Sequence, residues 1–505
     1  MSKKIKDFIL LGLGRGIIAL TSILYIRIFT AMLTPAEVGR MNIILSATGW
    51  FALVLVNPVG MYMNRRLLEW EKEGTMRLRL NGWMGYLLGI SMFSIILIPL
   101  YRSGLGIHIS SLWLAVLVAA GIIITSGNAS YAGFLNLLGH RLYFVAGSVL
   151  ALWAGLLLSI LLVRLFPASA ESWLAGQLGG QGIAFLLILA LLYKALPEKD
   201  AAAAAKKERA DFGAVWNFSW PLSISVFLYW IQTQGYRFIF QHESGSEALG
   251  IFVVGFAIGS SLMLVFESLF NQFYQPIYYA EISHASDEAK TVAWDRYAEI
   301  FLPMVLATVV FVAANGGAIA HIMASEKFRQ GGRILLWGAL AEGLRMMVSM
   351  LALISHSKLK MSPIILPGVV GVATMLCLLF PLLPWDPFVG AGVAIVAGWL
   401  VSGVLMYFSM RRLLPVRFPW QRLGWTLILV IPILVVRVAA GPVSVDTALS
   451  KTIIPLFIST VLLIFVYSML LHGWLPAHFR EELLLKVRAK RKVVQETLLE
   501  MFPFR

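Results

Sequence analysis

Charged residues are scarce in this chain of 505 residues, and acidic residues are scarcer than basic ones. Charged side chains make up 13% of the sequence, whereas a soluble domain has about 25%. The single cysteine, Cys377, excludes an intrachain disulfide. No histidine–cysteine cluster has metal-ligand spacing, and no glycine-rich loop follows a predicted strand. These absences exclude a soluble globular protein and argue against an enzyme.

Apolar segments occupy most of the remaining sequence. Hydrophobic residues make up 59% of the chain, and the mean hydropathy is +0.81. A run of about 18 or more apolar residues is long enough to cross a bilayer as a helix. We therefore predict an all-α polytopic membrane protein with about fourteen spans. The predicted spans are 9–33, 43–63, 83–101, 112–135, 142–166, 172–194, 214–240, 248–275, 297–320, 333–356, 362–382, 388–410, 423–440 and 452–473.

An internal repeat divides the chain into two halves. The segment Asn217–Gly255 is apolar, becomes polar near Arg237, and passes through a short turn and Gly250 into a second apolar segment. The N-terminus has the same layout, with Arg27 and Gly39 at nearly the same spacing. Such repeats are typical of transporters built as two related halves. We predict two pseudo-symmetric six-helix bundles around a central cavity, followed by an appended helix pair.

Changes in composition suggest the boundaries of these parts. The predicted divisions are an N-terminal bundle at 1–196, a cytoplasmic linker at 197–212, a C-terminal bundle at 213–410, an appended helix pair at 411–475 and a basic amphipathic cytoplasmic tail at 476–505. In the tail, apolar residues fall on one helical stripe and basic residues supply the polar side. This pattern predicts a helix lying on an anionic membrane leaflet, with a plain solvated helix as the alternative.

The net charge of +15 is explained by the membrane topology. Basic residues concentrate in alternate loops, beginning with the N-terminus. Cytoplasmic loops carry an excess of lysine and arginine, so this distribution places both termini in the cytoplasm. It also removes the reason to invoke a nucleic-acid partner.

Ionisable residues inside the predicted spans are the candidate functional residues, because they are costly in lipid. The basic ones are Arg15, Arg27, Arg237 and Arg345, and the acidic ones are Glu267 and Glu342. The surplus of arginine favours a cationic cavity for an anionic, phosphate-bearing substrate. The acids are candidates for ion coupling. Two alternatives stay open: Arg27 and Arg237 could reach the outer interface, and Arg345 could be neutralised by Glu342, three residues away.

Prolines interrupt three of the predicted spans. Pro58 lies in the second span, Pro221 lies in the seventh, and Pro276 is expected to end the eighth. Proline in a membrane helix frees backbone groups and permits the bending that alternating access requires. Static kinks are the alternative.

Two stretches resemble the polysaccharide-export flippases of the Wzx type. The first is AMLTPAEVGRMNII, from Ala31 to Ile44, a turn between two helices. The second is FSWPLSISVFLYWIQTQGYRFIF, followed by the residues Glu247 to Phe252. In that family an acid usually precedes the arginine near the end of the seventh helix, whereas here Tyr236 precedes Arg237. The departure puts ion coupling through that position in doubt.

The resemblance implies a more specific function than composition alone, which indicates only a secondary transporter with a cationic cavity. The family is related to MATE-type multidrug exporters and lipid II flippases, with two six-helix bundles around a V-shaped cavity. It implies that the chain flips undecaprenyl-pyrophosphate-linked oligosaccharide across a bacterial inner membrane, for a surface polysaccharide such as exopolysaccharide or O-antigen. Polysaccharide polymerase and export proteins would be its partners. No cofactor is expected, and the coupling ion, H⁺ or Na⁺, is left open.

The sequence leaves three alternative functions open. A MATE-like exporter of small cationic molecules would need an acidic or apolar cavity, and the surplus of arginine argues against such a cavity. A membrane glycan polymerase or ligase would display a charged site on a sizeable outward loop, and the predicted outward loops are short. A membrane scaffold for polysaccharide assembly would not need the arginines at all.

Overall fold

A computed structural model describes residues 21–97, 111–196, 201–282, 285–358, 360, 362–441 and 449–474. In these ranges the chain forms helices and no strands. The prediction of an all-α polytopic fold is confirmed. Arg15 and the basic tail at 476–505 lie outside the described residues.

The first half of the chain forms seven helices in the described ranges. They are α1 (Thr21–Met32), α2 (Pro35–Trp50), α3 (Asn57–Glu73), α4 (Met76–Ile96), α5 (Ser111–Leu137), α6 (Arg141–Leu165) and α7 (Ala170–Ala195). A π-helical turn, Phe51–Val56, joins α2 to α3.

The second half begins with a long helix and ends with the appended pair. Its helices are α8 (Ala201–Trp230), α9 (Tyr236–Ile282), α10 (Asp287–Met323), α11 (Leu335–Ser357), α12 (Ser362–Leu382), α13 (Pro387–Arg411), α14 (Trp420–Leu429), α15 (Ile431–Ala440) and α16 (Leu449–Trp474). A π-helical turn, Ile231–Gly235, joins α8 to α9, and a 3₁₀ segment, Glu326–Arg333, lies between α10 and α11.

Eleven helical stretches in the described ranges are long and apolar enough to cross a membrane. The longest, Gly213–Gln272, contains the seventh predicted span and most of the eighth. It bends at Gly245, whose φ of 82° is open to glycine without steric cost. The first and third predicted spans correspond to Thr21–Met32 and α4, which are not among the eleven. The count of fourteen stays a prediction.

The second span is longer at both ends than its hydropathy indicates. It runs over Pro35–Glu73, whereas 43–63 was predicted. Thr34 caps the start, because its hydroxyl accepts a hydrogen bond from the Glu37 amide at 3.3 Å. The end is set by Gly74, which adopts a left-handed conformation at φ 72°. Capping residues rather than apolar residues therefore determine these limits.

Small residues bring neighbouring helices together in each half. Gly180 of α7 lies so close to Ala154 of α6 that an added methyl group would overlap the Ala154 backbone, so the glycine permits this close packing. Helices α12 and α13 pack in the same way in the second half, where Gly371 lies against Ser402. Lipid provides no hydrophobic drive between helices, so close backbone approach is what stabilises such pairs.

One of the three prolines lies next to a helix irregularity. The turn Phe51–Val56 lies next to Pro58, where a missing amide hydrogen interrupts the regular bonding pattern. Helix α8 passes through Pro221, and the wide turn comes later, at Ile231–Gly235. Helix α9 also continues past Pro276, so the expectation that it ends the eighth span is wrong. Neighbouring helices compensate the lost backbone bond in a membrane. Bending during transport stays a prediction.

The structure adds detail to two of the predicted parts, the linker and the appended helix pair. Residues 201–212, predicted as linker, are helical and continuous with the seventh span. The appended pair packs on α10 through polar contacts. Arg422 forms an ion pair with Glu299, and the Arg417 amide donates to the Asp295 carboxylate at 2.9 Å. The hydroxyl of Tyr467, on α16, also forms a hydrogen bond with the hydroxyl of Thr308 on α10.

Candidate functional site

The two repeated turns of the sequence meet in space. A methyl group on Gly39 of α2 would overlap the carbonyl oxygen of Ser246, and one on Gly250 of α9 would overlap that of Pro35. Each half therefore contributes its glycine to a reciprocal contact between α2 and α9. We call this end of the molecule, which also holds the α1–α2 and α10–α11 connections, the turn end.

Arg237 links the halves beside this contact. Its guanidinium donates to the side-chain oxygens of Asn42 at 3.3 Å and Ser46 at 3.1 Å, both on α2. The Trp230 indole donates to the Ser46 carbonyl at 3.1 Å. The π-helical turn Ile231–Gly235 lies between Trp230 and Arg237, so it sets the positions of these two donors relative to α2.

Arg27 crosses between the halves in the other direction. It donates to the carbonyl oxygens of His321, at 3.2 Å, and Ala324. These carbonyls lie at the C-terminal end of α10, where unsatisfied oxygens and the helix dipole favour a cation. Thr30 adds a reciprocal pair: its hydroxyl accepts from the Ser325 amide at 3.1 Å, and its carbonyl accepts from the Ser325 hydroxyl at 2.6 Å.

These contacts form one set that joins the two halves at the turn end. We call it the seam. Its residues are Arg27, Thr30, Asn42, Ser46, Trp230, Arg237 and Ser325. Sequence reasoning found the two arginines but not their partners. The polar pair Asn42 and Ser46, four apart on an apolar helix, was the signal that could have found them.

Arg345 lies in a different environment, on α11. Its guanidinium donates to Glu342 at 2.7 Å and forms a second ion pair with Glu267 of α9. It also donates to the Ser349 hydroxyl at 3.2 Å. Glu267 is roughly 25 Å along α9 from Gly250, so this cluster lies well away from the turn end. One guanidinium between two carboxylates leaves one formal negative charge.

The three described arginines of the predicted cationic cavity each have protein partners in this structure. Arg27 and Arg237 have hydrogen-bond partners in the seam, and Arg345 is neutralised by two acids. The alternative in which Glu342 pairs with Arg345 is confirmed. Both acids that were counted against the four arginines, Glu267 and Glu342, pair with Arg345. Substrate binding by these residues stays a prediction.

Two cavities lie beside these elements. A cavity of about 700 Å³ lies between α3 and α4 of the first half and α8 of the second, with mostly apolar walls. A smaller one, about 320 Å³, is lined by Tyr25, Asn42 and Gln177. There the Tyr25 hydroxyl donates to Gln177 at 2.9 Å and accepts from the Trp173 indole at 2.8 Å. Among the described residues no three potential metal ligands lie together.

The described helices have the fold of solved multi-pass transporters. A lipid II flippase, MurJ, in an inward closed conformation superposes with a TM-score of 0.69 at 13% identity, covering 92% of this chain and 98% of the flippase. An inward-facing multidrug resistance MATE family transporter of the MOP superfamily gives a TM-score of 0.58 at 15% identity, covering 78% of this chain and 94% of that transporter. An outward-facing multidrug resistance MATE family transporter of the MOP superfamily gives a TM-score of 0.53 at 14% identity, covering 82% of this chain and 97% of that transporter.

Sequence comparison adds no family assignment. No protein-family model matches this chain, and no curated protein matches it. At these low identities the structural likeness establishes the fold alone. The relation to the MATE and lipid II flippase group implied by the sequence is thereby supported at the level of fold, whereas nothing singles out the Wzx type.

Proposed function

We propose that this protein is a flippase that moves undecaprenyl-pyrophosphate-linked oligosaccharide units across the bacterial inner membrane by alternating access, for export of a surface polysaccharide. The observation that carries the proposal is the seam, at which two pseudo-equivalent halves meet through their repeated turns. A two-halved transporter must break such a contact to release substrate at that end. The shared fold with a lipid II flippase supports a lipid-linked substrate.

The chemistry of the seam suits a contact that opens and closes. After the competition with water, its hydrogen bonds between neutral groups are worth about 1 kcal/mol each and those from the arginines about 1.5–3 kcal/mol each, so a modest differential affinity can shift the balance. Arg27 is bound to neutral carbonyls and Arg237 to neutral side chains. A pyrophosphate would be a stronger partner for either guanidinium. Substrate arrival would therefore favour release of the seam.

Coupling to an ion gradient would involve the Arg345 cluster. Glu267 and Glu342 share one arginine and belong to different helices, α9 and α11. Protonation of one carboxylate, or its capture by Na⁺, would weaken the link between those helices. We propose this cluster as the coupling site and leave the choice between H⁺ and Na⁺ to experiment.

Export of small cationic molecules is the second candidate. The net negative Arg345 cluster favours it, because a cation would find a partner there. The MATE family transporters with the same fold are described as multidrug resistance proteins. A drug-susceptibility panel on a deletion strain separates this function from lipid flipping.

The deciding experiment is translocation in liposomes that contain only this protein. A fluorescent undecaprenyl-pyrophosphate oligosaccharide is placed in both leaflets, and the outer pool is measured with a membrane-impermeant quencher. We expect the accessible fraction to change only when protein is present, and to respond to an imposed pH or Na⁺ gradient. Protein-free rates in every condition, with intact folded protein, would contradict the proposal.

The cellular setting belongs to the same proposal. The alternating basic loops support an inner-membrane topology with both termini in the cytoplasm. Polysaccharide polymerase and export proteins would act on the translocated product. A deletion strain should accumulate lipid-linked repeat units on the cytoplasmic side, whereas loss of a polymerase or ligase leaves them on the outer side.

A further inference from the structure

The 700 Å³ cavity between the two halves is separate from the seam and from the Arg345 cluster. Its walls come from α3 and α4 on one side and α8 on the other. Along α8 it extends from Val215 to Phe227, about 18 Å at 1.5 Å per residue. One leaflet of a bilayer has a hydrocarbon depth of about 15 Å. The cavity therefore has the length of one lipid chain.

Two buried polar atoms in the walls have no hydrogen-bond partner among the described residues. They are the indole nitrogen of Trp83, a residue only 2% exposed, and the hydroxyl oxygen of Ser219, a residue 6% exposed. An unsatisfied buried polar group costs about 1–3 kcal/mol. Both atoms lie in walls that are otherwise mostly apolar.

Positive charge marks one end of the cavity. Arg79 is part of its wall near the α3–α4 turn, and its guanidinium lies 5.6 Å from the ring centre of Trp70. Arg65 of α3 places a second guanidinium 4.8 Å from the ring of Phe218 on α8. The opposite end of the cavity, around Val54 and Phe227, is apolar. The gradient from charge to hydrocarbon matches an anionic amphiphile.

We propose that this cavity binds one acidic glycerophospholipid of the surrounding leaflet, with its phosphate at Arg79 and one acyl chain along α8. Trp216 and Trp220 line the cavity and are 59% and 54% exposed, so the cavity reaches the surface of the protein beside them. Tryptophan is enriched at membrane interfaces, where headgroups lie. Because the lipid contacts α4 and α8 together, it bridges the two halves away from the seam.

A matched pair of glycine substitutions on α4 tests the site. Gly82 lines the cavity, whereas Gly89 does not, and a Cβ at either position meets nothing within 4 Å. Gly82→Phe fills the cavity, and Gly89→Phe adds the same side chain elsewhere on the helix. The full-length protein is purified in detergent, and bound phosphatidylglycerol and phosphatidylcholine are counted by native mass spectrometry.

We expect wild type and Gly89→Phe to retain one phosphatidylglycerol in preference to phosphatidylcholine, and Gly82→Phe to bind it roughly tenfold more weakly. Arg79→Gln should remove the headgroup preference and Arg79→Lys should keep it, because phosphatidylglycerol has a net negative charge, whereas the choline cation of phosphatidylcholine cancels the charge of its phosphate. Equal retention by both phenylalanine variants would overturn the site. Equal binding of the two phospholipids by wild type would overturn the acidic headgroup.

A competition arm separates the bilayer lipid from the transported substrate. Undecaprenyl pyrophosphate is added at equal concentration to the phosphatidylglycerol-loaded protein. We expect the phospholipid to remain in place. Its displacement from wild type, together with loss of undecaprenyl pyrophosphate binding in Gly82→Phe, would assign the cavity to the substrate and overturn the proposal. Neither result depends on whether the protein flips lipid.

Discussion

Gly39 and Gly250 lie against each other where the two halves of the protein are in contact. A methyl group added to Gly250 would overlap the carbonyl oxygen of Pro35 and would lie 3.0 Å from the backbone nitrogen of Gly39. The reverse substitution, on Gly39, would overlap Ser246. The contact is thus backbone against backbone on both sides. No rotamer change can relieve it, so the two helices must separate to admit a side chain.

Gly39→Ala should open the seam. We expect a loss of about 1–3 kcal/mol, typical of overpacking, from the state in which the turn end is closed. The measurement is solvent accessibility of a single cysteine introduced at Ser246, in a background where Cys377 is replaced by alanine. Gly133→Ala is the control, because its added methyl meets nothing within 4 Å. Unchanged labelling in Gly39→Ala would contradict the closed contact.

A disulfide across the seam should stop transport reversibly. Thr30 and Ser325 exchange two hydrogen bonds, at 3.1 and 2.6 Å, so cysteines at these positions are close enough to bond. We expect Thr30→Cys/Ser325→Cys, without Cys377, to translocate lipid only after reduction. Each single cysteine variant controls for the loss of the native hydrogen bonds. Full activity of the oxidised, cross-linked protein would rule out opening at the turn end.

Arg237 distinguishes a purely structural seam from one that also binds substrate. Arg237→Ala removes the cation, and Asn42→Ala/Ser46→Ala removes its hydrogen-bond partners on α2 but keeps the charge. We expect Arg237→Ala to raise the apparent KM for the lipid-linked substrate roughly tenfold or more beyond the double variant, because a charged hydrogen bond is lost. Equal KM values would confine Arg237 to the seam.

Removing the cation from the Arg345 cluster should destabilise the protein. Arg345→Gln leaves Glu267 and Glu342 without their shared partner, which costs about 3–5 kcal/mol for buried charges. The fall in Tm is measured in detergent. Adding Glu342→Gln to that variant should recover part of the Tm, since one uncompensated carboxylate is removed. If the second substitution lowers the Tm further, by the amount that Glu342→Gln lowers it alone, the Arg345–Glu342 and Arg345–Glu267 ion pairs are independent.

Short-range patterns predicted part of the site correctly. Glu342 and Arg345 are three apart, which places them on one face of α11, and they form the expected ion pair. Glu267 joins them from α9, and no spacing rule relates residues on separate helices. The same holds for Arg27, whose partners are backbone carbonyls of α10 with no sequence signature.

The proline positions do not indicate where every helix irregularity lies. Pro58 accompanies a π-helical turn, whereas α8 runs straight through Pro221 and widens only at Ile231–Gly235. A proline removes one backbone donor, but whether the helix deforms depends on the neighbours that pack around it. Those neighbours come from other parts of the chain. The irregularity next to Arg237 could therefore be located only in the folded protein.

The sequence by itself determined that the chain is helical, lies in a membrane and is built as two related halves, because hydropathy and repeat spacing are local properties that add along the chain. The tertiary structure decided which charges are neutralised, which glycines touch and where cavities remain. These outcomes depend on the approach of helices distant in sequence. Arg27 and Arg237 illustrate the division: they are equivalent in the repeat, yet one binds the end of α10 and the other binds side chains of α2.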